Sequence, residues 1–185
     1  MKKIFLSLMT TLLFLGLFFI PVDASSNRII WVGDSRFVGM EQSITPDPND
    51  VFIAKGGMGY AWFVNTAIPE VNRTLKNGDK IVVGMGANGF GAESYLETVN
   101  NLVNNEWKDC DVYFMSVNPF VDDKVRANGM VGTDADVQSF NKSIKEGLDK
   151  KIKYVDTYSN IKEGIETKTQ DGVHYTVDCY KEIYD

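Results

Sequence analysis

The sequence holds a single histidine, His174, among its 185 residues, and only two cysteines, Cys110 and Cys179. One histidine excludes a His-rich metal centre, and neither cysteine stands in the Cys-x-x-Cys or Cys/His spacing that is typical of a zinc site. Two cysteines are too few for a disulfide framework, although an oxidising compartment would permit one bridge between them. The sequence therefore predicts no metal and leaves the pairing of the two cysteines open.

Positive charge is also scarce along the chain. The 19 lysines and arginines are outnumbered by 25 aspartates and glutamates, which gives a net charge of −6, and there is no long basic block. An acidic domain of this kind does not suit nucleic acid or an anionic lipid surface. We therefore expect a small-molecule or glycan substrate that is neutral or is held by local contacts.

Only the N-terminus contains a long apolar run, which covers residues 4–20. Two lysines precede this run, and a small-x-small pattern that ends at Ala24 follows it, as is typical of a secretory signal peptide. An uncleaved membrane anchor is the alternative, but the run is slightly short for a membrane span. The sequence thus predicts a signal peptide over residues 1–24, one domain over 25–185, and a secreted protein without stable membrane insertion.

The rest of the chain alternates short apolar runs with segments of helical periodicity. The strand-like runs are residues 28–32, 51–54, 81–83, 112–117 and 152–155, and the helical segments are 61–75, 92–107, 134–150 and 177–184. Such alternation predicts a parallel sheet with helices on both faces. In these sheets the functional residues lie in the loops that follow the strands. The irregular segment 118–133 is long enough to suggest a functional loop.

A serine and a histidine occupy positions that suit nucleophilic catalysis. Ser35 ends the sequence Gly33-Asp34-Ser35 directly after the first strand-like run, and His174 comes three residues after Asp171. A serine hydroxyl becomes a good nucleophile when a base takes its proton, and a histidine held by a carboxylate is such a base. Each signal is weak alone, because G-D-S also describes a helix-capping turn and a single histidine is usually structural.

Two further turns follow the second and third strand-like runs. Residues 56–59 (GGMG) form a glycine-rich turn whose backbone N–H groups can face a ligand, and no Lys-Ser/Thr pair follows to support a Walker-type phosphate loop. Asn88 lies in the turn 84–89, where its amide could donate to a developing oxyanion. Ordinary tight turns are the alternative for both segments.

Together, these four blocks resemble those of the SGNH (GDSL-like) hydrolase superfamily over residues 29–175. The resemblance implies a three-layer α/β/α sandwich of the flavodoxin-like kind, with a five-stranded parallel sheet and no cofactor. It implies Ser35 as nucleophile, His174 as general base and then acid, and Asp171 as the carboxylate that orients the histidine. The oxyanion hole that it implies consists of the Ser35 N–H, the Gly59 N–H (with Gly57 as the alternative) and the Asn88 side chain.

The sequence departs from the superfamily pattern at two positions. Arg36 replaces the leucine that often follows the serine, and Gly89 replaces the aspartate that often follows the asparagine. The Asn-Gly pair, with Asp-Gly-Val-His near the end, resembles the peptidoglycan O-acetyltransferases and their relatives. Candidate substrate-binding residues in the site loops are Arg36, Tyr60, Phe90 and Asn118. An aromatic ring in such a loop can stack on a sugar or pack in the core, and the sequence leaves both open.

We therefore expect a secreted serine esterase that cleaves a short acyl ester, such as an O-acetyl group on a carbohydrate or cell-wall glycan, through an acyl-serine intermediate. One alternative is an O-acetyltransferase that modifies a cell-wall sugar and receives its acyl group from a separate membrane protein. The other is a binding module that keeps the fold without catalysis.

Overall fold

The sheet consists of five parallel strands. The computed structural model describes residues 28–185, so the predicted signal peptide lies outside the described residues. The strands are β1 (Ile29–Gly33), β2 (Val51–Ala54), β3 (Lys80–Gly84), β4 (Asp111–Met115) and β5 (Ile152–Val155), in the spatial order β2-β1-β3-β4-β5. This is the strand order of flavodoxin-like doubly wound folds, and it confirms the predicted fold class.

Helices connect and cover the strands. They are α1 (Ser35–Ser43), α2 (Tyr60–Trp62), α3 (Ile68–Thr74), α4 (Ala92–Leu102), α5 (Asp122–Ala127), α6 (Asp134–Gly147), α7 (Thr157–Ile161), α8 (Ile165–Lys168) and α9 (Val177–Tyr184), with a π-helical turn (Phe63–Ala67) between α2 and α3. The periodic segments predicted α3, α4, α6 and α9, whereas α1 and the short helices α5, α7 and α8 were not predicted. No helix within residues 28–185 is both long and apolar enough to cross a bilayer.

Side chains of the central strands alternate between two apolar layers. In β1, Ile30 and Val32 are fully buried on the face that α3, α4 and α6 cover, whereas Trp31 is buried on the opposite face with α1 and α9. Alternation of this kind follows from the two-residue period of a strand. Because both faces are covered, the strands are nearly continuous runs of apolar residues.

Helix α1 approaches the sheet closely at the carboxyl ends of β1 and β3. Gly33 and Gly84 are paired at these two ends, and the ring of Phe37 lies over both. A Cβ at Gly33 would lie 2.5 Å from Phe37, and one at Gly84 would lie 2.3 Å from it. Any larger residue would therefore displace α1, whose first residue is Ser35.

Both cysteines are free thiols. Cys179 is buried in α9, and Cys110 is partly buried before β4. Burial raises the pKa of each thiol to about 11. The structure thus contains no bridge between them, and both thiols are protonated at neutral pH.

Candidate active site

Ser35, His174 and Asp171 form a hydrogen-bonded chain at the carboxyl edge of the sheet. Ser35 Oγ lies 2.8 Å from His174 Nε2, and His174 Nδ1 lies 2.6 Å from Asp171 Oδ2. Ser35 is at the start of α1, whereas Asp171 and His174 are in the loop before α9. Ser35 and His174 are 139 residues apart in the sequence. This is the geometry in which an imidazole can take a hydroxyl proton while a carboxylate stabilises the resulting charge.

A compact turn holds the Asp171 carboxylate in position. Its Oδ1 accepts hydrogen bonds from the backbone N–H groups of Val173 (2.9 Å) and His174 (2.8 Å). Partial burial pushes the pKa of Asp171 upward, but the hydrogen bonds from His174 and Val173 outweigh burial, so the pKa lies below its ordinary value. Asp171 therefore remains ionised at neutral pH and fixes both the backbone and the ring of His174.

Ser35 occupies the first position of α1, where the backbone N–H groups have no partner within the helix. The preceding residue, Asp34, caps the helix by accepting a hydrogen bond from the Arg36 N–H. The N–H groups of this helix end make the surroundings of Ser35 favourable to negative charge. The serine that sequence reasoning identified is thus placed by an ordinary N-cap.

Arg36 lies beneath the site rather than in it. Its side chain is 2 % exposed and is paired with Asp34, which is fully buried. The guanidinium also donates to the carbonyl of Gly84 at 3.0 Å and to that of Ser116 at 3.2 Å. Burial favours the neutral form, but the charge and the hydrogen bonds of Asp34 together outweigh burial, so the pKa of Arg36 is raised. The prediction that Arg36 binds substrate is therefore wrong, since every polar contact of its guanidinium faces inward.

Asn88 and the glycine-rich turn border the same opening as Ser35. The Asn88 amide nitrogen donates to the Met58 carbonyl at 3.1 Å, which leaves its second hydrogen for a ligand. Gly56 and Gly57 line this opening, and a Cβ at Gly56 would lie 3.9 Å from that of Ser35. Gly59 does not line it.

Gly59 instead packs behind the turn. A Cβ at Gly59 would lie 3.1 Å from the Asn88 carbonyl oxygen, so this glycine permits close contact between the two turns. Of the two glycines named for the oxyanion hole, Gly57, the alternative, lines the opening, whereas Gly59 does not.

A cavity of about 740 Å³ opens in front of Ser35 and His174. Besides those two residues and the two turns, its wall contains mainly apolar side chains, namely Phe90, Phe120, Met130, Val131 and Val173. The long segment 118–133, for which the sequence predicted a functional loop, supplies three of them. No side chain in this wall carries a permanent charge, so the cavity suits an uncharged group.

The remaining predicted substrate-binding residues have different positions. Phe90 lines the cavity, where its ring packs edge-on against Phe120. Tyr60 lies outside the cavity wall and shares a hydrogen bond with Thr98. Asn118 is 2 % exposed and accepts a hydrogen bond from Thr157, so the prediction that it contacts substrate is wrong.

The described part of the chain offers no metal-binding cluster. Within residues 28–185, no three His, Cys, Asp or Glu side chains lie close enough together to hold an ion. The polar side chains that line the cavity are those of Ser35, His174 and Asn88.

Solved structures with the same fold share low sequence identity with this chain. A GDSL-like lipase from Bacteroides thetaiotaomicron superposes with a TM-score of 0.67 at 17 % identity, covering 84 % of this chain and 83 % of that one. A lipase/acylhydrolase from Enterococcus faecalis gives 0.60 at 12 %, covering 84 % and 90 %. An acetylxylan esterase from Geobacillus stearothermophilus gives 0.60 at 14 %, covering 86 % and 91 %. No protein-family model matches the sequence, and no curated protein matches it either.

The chain thus has the fold of the GDSL-like (SGNH) hydrolases, as its four sequence blocks indicated.

Proposed function

We propose that this protein is a serine ester hydrolase that forms an acyl-Ser35 intermediate. The observation that supports this most directly is the hydrogen-bonded chain from Ser35 through His174 to Asp171, at 2.8 and 2.6 Å, at the mouth of an uncharged cavity. A serine activated in this way attacks carbonyl carbon. The acylhydrolases and esterases that share the fold support the same reaction class.

The reaction proceeds in two halves. His174 Nε2 takes the Ser35 proton as Oγ bonds to the ester carbonyl carbon, and the oxyanion lies between the N–H groups of Ser35 and Gly57 and the Asn88 amide. The bond from carbon to the alcohol oxygen then breaks, and His174 returns the proton to that oxygen. Water repeats the sequence on the acyl-enzyme, which releases a carboxylic acid and restores Ser35. No step requires a cofactor.

We further propose that the substrate is a short acyl ester of a carbohydrate hydroxyl, with acetyl as the first group to test. The uncharged cavity fits a neutral ester, and one protein of the same fold is described as an acetylxylan esterase. The signal-peptide pattern of residues 1–24 supports action outside the cytoplasm, where acetylated glycans occur in cell walls.

Hydrolysis of 4-nitrophenyl acetate, butyrate and hexanoate tests the reaction class and the acyl length together. Ser35→Ala and His174→Ala should each remove turnover by a factor of about 10⁴ or more, because the members of a triad act as a unit. Ser143→Ala is the matched control, since Ser143 is exposed on α6, away from the site.

A fluorophosphonate label followed by mass spectrometry supplies the second readout. Covalent attachment should occur at Ser35 and disappear in His174→Ala. A folded wild-type protein that neither cleaves these esters nor takes the label would refute the proposal and leave the non-catalytic binding module.

A further inference from the structure

A second opening meets the cavity at Ser35 and His174. It is a cleft of about 470 Å³ on the side of α1, and both residues line it as well as the cavity. Its other walls are given by Val38, Gly39, Gln42 and Ser43 of α1 and by Tyr175 and Tyr180. Ser35 and His174 therefore lie between the cavity and this cleft. We call the second space the α1 cleft.

The polar side chains that border the two spaces are different. The cavity presents the Asn88 amide among apolar side chains such as Phe90, whereas the α1 cleft presents the Gln42 amide. The hydroxyl of Ser43, which also lines the cleft, donates to the Gly39 carbonyl at 2.6 Å. Gln42 is exposed, and its amide makes no hydrogen bond to any other described residue. The amide is therefore free to bind a hydroxylated ligand.

The oxyanion donors distinguish the two spaces further. Asn88 and Gly57 border the cavity and not the α1 cleft, whereas His174 borders both. A bound ester must therefore place its carbonyl oxygen on the cavity side and its alcohol oxygen within reach of His174 Nε2. The remaining substituents then separate, with the acyl carbon chain directed into the apolar cavity and the alcohol directed past His174 over α1.

We propose that the α1 cleft is the binding site for the alcohol portion of the ester, a hydroxylated group such as a sugar. The inference rests on the proposed ester hydrolysis. When the carbon–oxygen bond breaks, His174 gives its proton to the alcohol oxygen, and the free alcohol leaves through this cleft. By reversal of the same step, an alcohol bound there can lose a proton to His174 and attack the acyl-enzyme, which would yield acyl transfer in place of hydrolysis.

Two tryptophan substitutions separate the two spaces experimentally. Val38→Trp fills the α1 cleft, and Val131→Trp, at a position that is 90 % exposed, narrows the cavity. One substrate series keeps acetyl and varies the alcohol among methanol, benzyl alcohol and methyl glucoside. The other keeps 4-nitrophenol and varies the acyl chain from acetyl to hexanoyl.

Val38→Trp should lower the kcat/KM ratio of glucoside ester to methyl ester by about tenfold or more, as a blocked subsite does, with the acyl-length profile preserved. Val131→Trp should change the acyl-length profile and preserve the alcohol ratio. Gln42→Ala is the second cleft variant, because it removes the amide without adding bulk, and it should lower the same alcohol ratio. Thermal melting of each variant establishes folding.

The opposite pattern, with Val38→Trp or Gln42→Ala acting on acyl length, would overturn the assignment. So would a profile in which all the variants act alike or none acts. A wild-type protein that cleaves no member of either series would instead contradict the ester hydrolysis itself. The two failures are therefore distinguishable.

Discussion

Replacing Arg36 with alanine should destabilise the protein strongly, although the residue is adjacent to the nucleophile and polar. The substitution leaves the Asp34 carboxylate, which is 0 % exposed, without its bidentate partner at 2.9 and 3.0 Å. It also removes the donors that serve the carbonyls of Gly84 and Ser116. Breaking a buried ion pair by removing one partner typically costs about 3–5 kcal/mol, because the remaining charge is buried and uncompensated.

The free energy of unfolding from urea titration measures this cost. A domain of ordinary stability has about 5–15 kcal/mol in total, so a loss of 3–5 kcal/mol moves the midpoint clearly. The matched control is Arg126→Ala, because Arg126 also pairs with an aspartate, Asp123, but both side chains are exposed. Exposed pairs contribute about 0–1 kcal/mol, so this control should unfold nearly as the wild type does.

The activity of Arg36→Ala should also fall, because the guanidinium joins the ends of β1, β3 and β4 directly below Ser35. The loss should appear in kcat, with KM little changed, since Arg36 does not line the cavity or the α1 cleft. An Arg36→Ala variant whose free energy of unfolding is within about 1 kcal/mol of the wild-type value would refute the reasoning. It would mean that the buried carboxylate finds another partner or becomes protonated.

Two further predictions concern Asn88 and the cysteines. Asn88→Ala should lower kcat for 4-nitrophenyl acetate by about 10²–10³-fold in steady-state kinetics, because that is the usual cost of losing one oxyanion donor. An unchanged kcat would show that Asn88 is not an oxyanion donor. Cys110 and Cys179 should react slowly with a chromogenic disulfide reagent at pH 8, because burial raises both pKa values to about 11 and little thiolate forms. Both thiols should be titrated once the protein is unfolded without reductant, and a count of zero would show a disulfide.

The sheet and the position of Ser35 could be predicted from the sequence because both depend on local patterns. β-Branched apolar runs mark buried strands, and the chain order of strands and helices specifies a parallel sheet. Ser35 directly follows a predicted strand, and Asp171 is three residues from His174. Both features are local in the sequence, so these residues could be identified as catalytic candidates. The hydrogen bond between Ser35 and His174, which joins the two segments, follows from the fold.

The surroundings of Arg36 and Asn118 could not be predicted, because they depend on hydrogen-bond partners that are distant in the sequence. The carbonyls that Arg36 binds are 48 and 80 residues away in the chain, and Thr157, which donates to Asn118, is 39 residues away. A polar residue in a site loop is expected to face solvent unless its partners are known. Only the assembled sheet brings these partners together.

The start of α1 shows how one helical turn can serve several purposes at once. Consecutive helical side chains point in different directions, about 100° apart, so four neighbouring residues meet four different surroundings. Ser35 faces His174, Arg36 points beneath the sheet ends, Phe37 covers the glycines, and Val38 lines the α1 cleft. Because the ion pair and the ring are both buried, they hold the helix in one rotation about its axis. That rotation places the nucleophile at the meeting point of the two openings, so a substitution at any of these positions should alter catalysis through a different physical cause.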